Sequence, residues 1–431
     1  MSSEPRSARP PDEAAAEPWV EELRTAGVVD GPHPGVNELL ETIELVDHHT
    51  HGILAGPTDA AQYIHALSES DRPAASAGAG LATQVGIAVR RWCGPLLGLP
   101  ANLDDEAFVE ARVRIPTIDA ARRLLPAAGY DRLLVETGFR GDELTTLPAL
   151  AAVAGRPVSA VARLETIAER LAAEGCTAAG FAAAVRDAVD AELAAGAVGL
   201  KSIVAYRTGF DIDPTRPDPA EVERHTGDWL RSADGQARPR ISDPVLERFL
   251  LWTAVDTGRP LQIHTGFGDP DLDLHRADPL LLTDFIRATE GRCRILLLHT
   301  YPFHRGAGYL AHVFPHVLID VGLAVNYVGA RAAEVIAESL ELAPLSRVLF
   351  SADAWGVPEL HLLGSWLFRR GLARVLGRWV IDGDWTEADA ARAIRAIGGD
   401  NARRVYGLPS ASPSSAGSNA SSRNEDGAAG S

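Results

Sequence analysis

The stretch Ile43–His51, IELVDHHTH, joins an apolar run directly to two histidines that are separated by one residue. Continuous apolar runs, unlike alternating ones, are typical of strands buried on both faces of a parallel sheet that helices cover. Segments rich in Ala, Arg and Glu with helical periodicity separate this run from those that follow. The later runs are RLLVETGF (132–139), VSAVARLE (158–165), AVGLKSIVAY (197–206), PLQIHTG (260–266), RILLLHTYP (294–302), HVLIDVGLA (316–324) and RVLFSADAW (347–355). Eight strand–helix units close a (β/α)8 barrel, so the sequence predicts an α/β fold of TIM-barrel type.

The domain organisation follows from composition along the chain. Of the 431 residues, 46% are hydrophobic and 23% charged, which is enough apolar material for a large core. The barrel is predicted over 35–408, after a partly disordered N-terminal segment, 1–34. The Ser-, Gly- and Ala-rich tail, 409–431, is predicted to be disordered because it has too little apolar surface to offset its ordering entropy. Two long connections, a helical insertion at 58–131 and a Pro- and Asp-rich loop at 211–244, are expected to cap the catalytic face as lids.

Charge and hydropathy exclude several classes of partner. A net charge of −17 repels a phosphate backbone, and no basic run interleaved with aromatic residues offsets it, so nucleic acid is excluded as a partner. The first 18 residues lack an apolar segment of the signal-peptide type, and no uninterrupted apolar stretch is long enough to span a bilayer. The sequence therefore predicts a cytoplasmic protein with no membrane partner and a small-molecule substrate.

Polar side chains capable of metal or proton chemistry end five of the apolar runs. They are His49, His51, Lys201, His264, His299 and Asp353. In a barrel the carboxyl ends of the strands form the active site, and residues at i and i+2 of a strand share a face. A lone strand-end histidine is more often a hydrogen-bonded core residue, and Asp353 alone would suit a helix N-cap. Together the six groups predict a site for one or two divalent metal ions, with zinc as the first candidate and manganese or iron as alternatives.

Lys201 is the single lysine among 41 basic residues. Arginine is permanently protonated, whereas a shielded lysine amine can lose its proton. Only a neutral amine reacts with CO2 to give a carbamate, an anionic ligand with two oxygens that can bridge two metal ions. The alternatives are an unmodified catalytic lysine and a structural ion pair with Glu136 or Glu165.

The longer phrases around these groups resemble the amidohydrolase superfamily of metal-dependent barrels. More narrowly they resemble FluG-like amidohydrolases, the amidohydrolase-2 branch, which form the N-terminal half of fungal and plant fusions with glutamine synthetase. The phrases are LKSIVAYRTGF (200–210), PLQIHTGFGD (260–269), LLLHTYPFHRGAGYLA (296–311), LIDVGLA (318–324) and LFSADAWGVPEL (349–360). The resemblance extends over about residues 35–408 and implies a functional link to glutamine synthetase-like enzymes. Self-association into a homo-oligomer stays open.

The resemblance also implies roles for the strand-end groups. His49, His51 and Asp353 would bind a first metal ion, and a carbamate on Lys201 would bridge to a second held by the histidines of strands five and six. In relatives with a single metal ion, the strand-five histidine joins the first site and His299 polarises the substrate. Asp353 is expected to act as the base on a metal-activated water. The predicted reaction is hydrolysis of an amide C–N bond.

Residues that follow the strands are candidate substrate contacts. They are Arg163, Tyr206, Arg207, His304, Arg305, Trp355 and Glu359. Arginines can hold a carboxylate through two hydrogen bonds, so a γ-glutamyl or other carboxylate-bearing amide is the predicted substrate. Pairing of Arg207 and Arg305 with the acidic loop at 211–218 is the alternative.

The same residues also suit two other functions. A non-oxidative decarboxylase with a single metal ion uses the same histidines and aspartate, although a carbamate-forming Lys201 argues against it. A catalytically inert barrel that serves as a binding or regulatory subunit is the third, and the retention of all six groups gives it poor support.

Overall fold

The structure of the protein is a computed structural model that describes residues 17–70, 72–100, 103–233, 235–236 and 239–410. The predictions of a partly disordered segment at 1–34 and of a disordered tail at 409–431 fall largely on residues 1–16 and 411–431, which lie outside this part of the chain. None of the helices within the described residues combines the length and apolar content that a bilayer crossing requires.

A parallel sheet of seven strands forms the centre of the described fold. Each strand pairs with the next one along the chain, in the order β1 to β7. The strands are β1 Leu45–Thr50, β2 Tyr130–Glu136, β3 Val158–Arg163, β4 Gly199–Ser202, β5 Leu261–His264, β6 Ile295–Leu298 and β7 Val317–Ile319. Parallel neighbours need a crossover connection, and helices provide it here. The predicted α/β class with a helix-covered parallel sheet is confirmed.

Helices occupy the connections and both flanking segments. They are α1 Pro18–Thr25, α2 Pro34–Thr42, α3 Ala60–Ala66, α4 Ala77–Leu81, α5 Gln84–Ala88, α6 Gly94–Leu96, α7 Asp105–Val113, α8 Thr117–Ala127, α9 Leu147–Ala154, α10 Leu164–Ala173, α11 Ala178–Ala194, α12 Pro219–Ser232, α13 Pro244–Asp256, α14 Thr283–Ala288, α15 His304–Val313, α16 Ala324–Val328, α17 Ala332–Ser339, α18 Pro358–Asp382, α19 Glu387–Arg395 and α20 Asn401–Tyr406. Many begin at an Asp or Thr side chain that accepts a backbone N–H, as Asp59, Thr177 and Asp243 do.

The eighth predicted strand, 347–355, is not a regular strand. Its backbone bonds to both edges of the sheet: Leu349 N donates to Ile319 O at 2.9 Å, and His48 N donates to Phe350 O at 3.2 Å. The ladder is interrupted because Ala352 N donates to the Asp47 carboxylate, at 3.1 Å, instead of to a backbone carbonyl. The segment therefore lies between β7 and β1 and curls the sheet, but it does so through side-chain as well as backbone contacts.

Two apolar clusters hold the sheet and the helices together. The larger one packs the helices against the sheet, and the buried side of α1, including Trp19 and Leu23, belongs to it. The smaller one gathers side chains from β1, β2, β3, β6 and β7 with Leu349 and, from the last helix, Tyr406. Side chains from the first three strands therefore contact side chains from the last two strands of the sheet. Their packing fixes the strand ends where the polar groups lie.

Candidate metal centre

The two histidines at the end of β1 face one carboxylate. His49 Nε2 lies 3.1 Å from Asp353 Oδ1, and His51 Nε2 lies 3.3 Å from the same oxygen. The ring centroids of the two histidines are 5.2 Å apart. A strand places residues at i and i+2 on one face, and the H-x-H pair therefore converges on a single point.

Gln262, a glutamine on β5, determines which ring nitrogen of His49 carries the proton. Gln262 Nε2 donates to His48 O at 2.8 Å and to the Tyr406 hydroxyl at 2.7 Å, so its carbonyl oxygen must face the other way. That oxygen, Oε1, lies 2.7 Å from His49 Nδ1. In this arrangement Nδ1 donates its proton to Gln262, and the lone pair of Nε2 is available to a metal ion. Second partners of this kind orient the histidine ligands of metal sites.

The histidines that end β5 and β6 complete the group. The rings of His264 and His299 lie 4.9 Å apart, and His299 lies 5.1 Å from His49. Burial lowers the pKa of His299 to about 4 and holds that of His264 well below its usual value, so both rings are neutral. His264 Nε2 and both ring nitrogens of His299 are buried without a hydrogen-bond partner in the described residues. Buried nitrogens of this kind indicate a missing ligand.

The backbone is strained at two of these strand ends. His299 has φ of +66° and Asp353 has φ of +47°, both in the left-handed region that non-glycine residues rarely adopt. Strained residues cluster at functional sites, where surrounding contacts hold them. Asp353 is held by its N–H, which donates to His49 O at 3.1 Å. The strain turns both side chains into the cavity.

The carboxylate of Asp353 is ionised. Burial alone would raise the pKa of Asp353, but the facing imidazoles of His299, His49 and His51 hold it well below the usual range. Its second oxygen, Oδ2, lies 3.2 Å from His299 Nε2. One carboxylate therefore bridges three imidazoles.

Lys201 lies on β4 at the same centre. Its side chain is buried, and Nζ lies 3.5 Å from His49 Nε2. Neither glutamate that could have paired with it does so: Glu136 pairs with Arg163, and Glu165 accepts bonds from a hydroxyl and a backbone N–H at the end of β4. The structural ion pair considered as an alternative is therefore absent from the described residues.

The environment of Lys201 increases the neutral fraction of its amine. Burial lowers the pKa of Lys201 to about 8, against the opposing attraction of Asp353 and Glu136. An ordinary lysine, with a pKa near 10.4, is almost wholly protonated at neutral pH. The amine can therefore lose its proton near neutral pH, which an arginine could not do.

The donor set fits a divalent metal ion. His49, His299 and Asp353 each offer one ligand atom, and these atoms lie within 4.8 Å of one another. Neutral imidazoles and an ionised carboxylate are the ligands that zinc and related cations take. The buried, unpartnered ring nitrogens described above support the same interpretation. The residues present therefore suit a divalent metal ion.

These groups line a cavity of about 220 Å³ at the carboxyl ends of the strands. Aromatic rings of Phe139, Tyr206 and Trp355 form part of its wall. The Tyr206 ring lies 4.5 Å from that of His264, and the Phe139 ring 5.1 Å from that of His51. Two of the predicted substrate contacts, Tyr206 and Trp355, are thus placed beside the metal centre.

Three guanidinium groups line the same cavity. Arg163 pairs with Glu136, and Arg207 pairs with Glu169 at 3.0 Å. Arg207 therefore pairs with a residue of α10 and not with the acidic loop after β4. Arg240, from the connection between β4 and β5, is the third, and it was not among the residues predicted from sequence.

Three predicted substrate contacts lie elsewhere. His304 is buried with its Nε2 2.6 Å from Glu338, and Arg305 is exposed and pairs with Glu341 at 3.0 Å. Both belong to the first turn of α15, which packs against α17, β7 and the 3-10 helix Pro279–Leu282. Glu359 is fully buried and pairs with Arg112 of the insertion after β1. These residues stabilise helix packing and do not line the cavity.

Sequence reasoning missed several residues of the site. One is Gln262, and another is Asp320, a buried residue after β7 whose Oδ1 accepts the backbone N–H of His299 at 3.0 Å. Both lie within apolar runs, and a polar residue in such a run could have been taken as a sign of a buried hydrogen bond. Asp269 follows β5 in one of the phrases that carry the family resemblance. Glu69 lies in the insertion after β1, where no motif points to it.

Fold and site together define the class of protein, a TIM-barrel-like α/β protein with a candidate metal centre at the carboxyl ends of its strands. The particular family follows from a family model described as amidohydrolase, which matches residues 46–408. The chain belongs to the amidohydrolase family. Protein fluG of Emericella nidulans is 36% identical over 248 residues, which make up 55% of this chain and 28% of that protein.

Solved structures support the same assignment. A Lactobacillus casei protein assigned as a metal-dependent hydrolase is 29% identical, with a TM-score of 0.74 over 86% of this chain and 96% of its own. Uronate isomerase from Thermotoga maritima is 15% identical, with a TM-score of 0.55 over 87% of this chain and 97% of its own. The second likeness shows the shared fold alone.

Proposed function

We propose that the protein is a metal-dependent hydrolase that cleaves the amide C–N bond of a small carboxylate-bearing molecule, with γ-glutamyl amides as the first candidates. The observation that carries the proposal is the meeting of four histidines, Lys201 and Asp353 in one cavity. We also propose that the segment after β7 is the eighth strand of a (β/α)8 barrel, and that 35–408 forms one catalytic unit.

Each group of the centre has a role in this reaction. His49, His51 and Asp353 would hold one divalent cation, with zinc as the first candidate, and His264 and His299 a second. A cation bound there lowers the pKa of water and polarises a carbonyl. Asp353 accepts the proton of the attacking water and passes it to the leaving amine.

Lys201 is proposed to carry CO2. Its neutral amine would attack CO2, forming an N–C bond and releasing one proton, and the carbamate oxygens would face both cation positions. The 3.5 Å separation of Nζ from His49 Nε2 and the lowered pKa of Lys201 support this role. A protonated, unmodified lysine at that distance from a metal ligand would instead repel a cation.

The guanidinium groups favour an anionic substrate. Arg163, Arg207 and Arg240 line a cavity of about 220 Å³. Their carboxylate partners hold Arg163 and Arg207 in place while leaving further N–H donors for a ligand. A substrate carboxylate bound here would direct an amide carbonyl toward the metal centre.

The proposal is tested by supplying the protein with zinc or manganese and screening γ-glutamyl amides for release of the amine. We expect turnover that Asp353→Asn abolishes, because the amide cannot accept the proton. Glu38→Gln, which alters an exposed carboxylate on α2, is the matched control and keeps full turnover. Metal analysis should give two equivalents. One equivalent together with no amide hydrolysis would overturn the proposal in favour of a single-metal decarboxylase.

A further inference from the structure

A second cavity, of about 530 Å³, adjoins the metal-centre cavity. Glu69 and Asp269 line both of them, so the two spaces meet at these residues. The second cavity is the larger one, and its walls come from the insertion after β1, the loop after β5 and Tyr327 of α16. A ligand anchored at the metal centre can therefore extend into it.

The walls of the second cavity are mainly apolar. They include Ile64, Leu67, Val85, Phe267, Pro270 and Tyr327. The rings of Phe267 and Tyr327 pack edge to face at 5.4 Å. Pockets with apolar walls and a few polar groups bind the hydrocarbon part of a ligand and use the polar groups for specificity. The polar group relevant to specificity here is the carboxyl group of Glu69, which lies where the two cavities meet.

Glu69 lies at the junction, and it forms no ion pair with any residue that the structure describes. Its Oε1 accepts a hydrogen bond from the Tyr327 hydroxyl at 3.0 Å, and Oε2 has no partner within the described residues. Burial and the negative charge of Asp353 raise the pKa of Glu69 to about 8. The guanidinium groups that line the metal-centre cavity pair with other carboxylates, namely Glu136, Glu169 and Asp271. A carboxyl group that borders a cavity with one bonded oxygen and no ion pair among the described residues is suited to bind a positively charged group.

We propose that the larger cavity binds the part of the substrate beyond the scissile bond, and that Glu69 binds a protonated amine on that part. The substrate would then be an amide formed by a diamine-like molecule with an apolar chain. This inference rests on the proposed amide hydrolysis and adds the chemical class of the leaving group. An ammonium at Glu69 would supply the missing cation, which a neutral hydroxyl would not.

Matched pairs of substrates test the inference. The γ-glutamyl amides of diamines, from 1,3-diaminopropane to 1,6-diaminohexane, are compared with those of the monoamines of equal length. We expect the metal-replete protein to prefer at least one charged amide by about tenfold in kcat/KM. Glu69→Gln keeps the size and the hydrogen bond to Tyr327 but should remove the preference, and Glu38→Gln should retain it. Equal rates for both members of every pair, or an unchanged preference in Glu69→Gln, would overturn the inference.

Binding of the free amines separates this inference from the proposed reaction. Calorimetric titration with the diamines should show binding that monoamines of equal length lack and that Glu69→Gln loses. If no amide is hydrolysed but this binding is found, the proposed function fails and the site at Glu69 stands. If amides are hydrolysed and no diamine binds or is preferred, the proposed function stands and the inference fails.

Discussion

The pKa of Lys201 predicts how fast the protein takes up CO2. Burial lowers that pKa to about 8, so the neutral amine increases as the pH rises toward 8. Its neutral fraction should be roughly one hundredth at pH 6 and roughly one tenth at pH 7, compared with well under ~0.1% at pH 7 for an exposed lysine. Because only the neutral amine reacts, the rate of carbamate formation should rise about tenfold between pH 6 and pH 7 and level off above pH 8.

The assay starts from protein stripped of metal by a chelator in CO2-free buffer. Zinc and isotopically labelled CO2 are added at a fixed concentration of dissolved CO2, and the carbamate signal and bound metal are followed over time. Lys201→Arg should show neither carbamate nor full metal content, since its guanidinium stays protonated. Short carboxylic acids should restore metal binding to Lys201→Ala. An uptake rate independent of pH between 6 and 8, or full metal content and activity in Lys201→Ala, would refute the reasoning.

Three further predictions concern groups around the centre. We expect Glu359→Gln to lower the free energy of unfolding in urea by about 3–5 kcal/mol, since its arginine partner is left buried and unpaired, with KM unchanged; a raised KM at full stability would instead place it at the substrate. We expect Gln262→Leu to weaken zinc binding about 10–100-fold in chelator competition, because His49 loses the acceptor that fixes its proton; unaltered affinity would show that the glutamine does not orient the ligand. We expect Gly268→Ala to lose kcat/KM at normal unfolding stability, because its Cβ would overlap the Tyr206 hydroxyl; normal turnover would show that the loop moves aside.

The strand-end groups could be predicted because parallel strands connected by helices bring their carboxyl ends to one face. His49, Lys201 and His264 belong to different strands, yet each directly follows a recognisable apolar run. The register of the sheet then places these residues at the same level: Lys201 lies opposite Gln262, and Arg163 lies opposite Lys201. Local periodicity therefore contained the information about the centre.

The residues of the larger cavity could not be predicted in this way. Glu69 follows α3 in a connection with no strand register, and its place depends on how the insertion packs. Tyr327 reaches it from a helix 258 positions further along the chain. No spacing in the sequence relates the two, because tertiary packing alone brings them together. The eighth strand was predicted at 347–355, but its irregularity was not, for a similar reason: its ladder is broken by the carboxylate of Asp47, on β1.

Glu359 connects the segment that presents Asp353 with the insertion after β1. It follows the eighth segment by a few residues, as a substrate contact would, but the first turn of α18 directs it toward the insertion. There it pairs with Arg112 of α7 and accepts a hydrogen bond from Tyr63 of α3 at 3.2 Å. Tyr63 precedes Glu69 by less than two helical turns, so this buried pair fixes the helix that leads to the junction of the cavities. Glu359 thus contributes to stability, by holding the insertion against the segment that presents Asp353, and not to substrate contact.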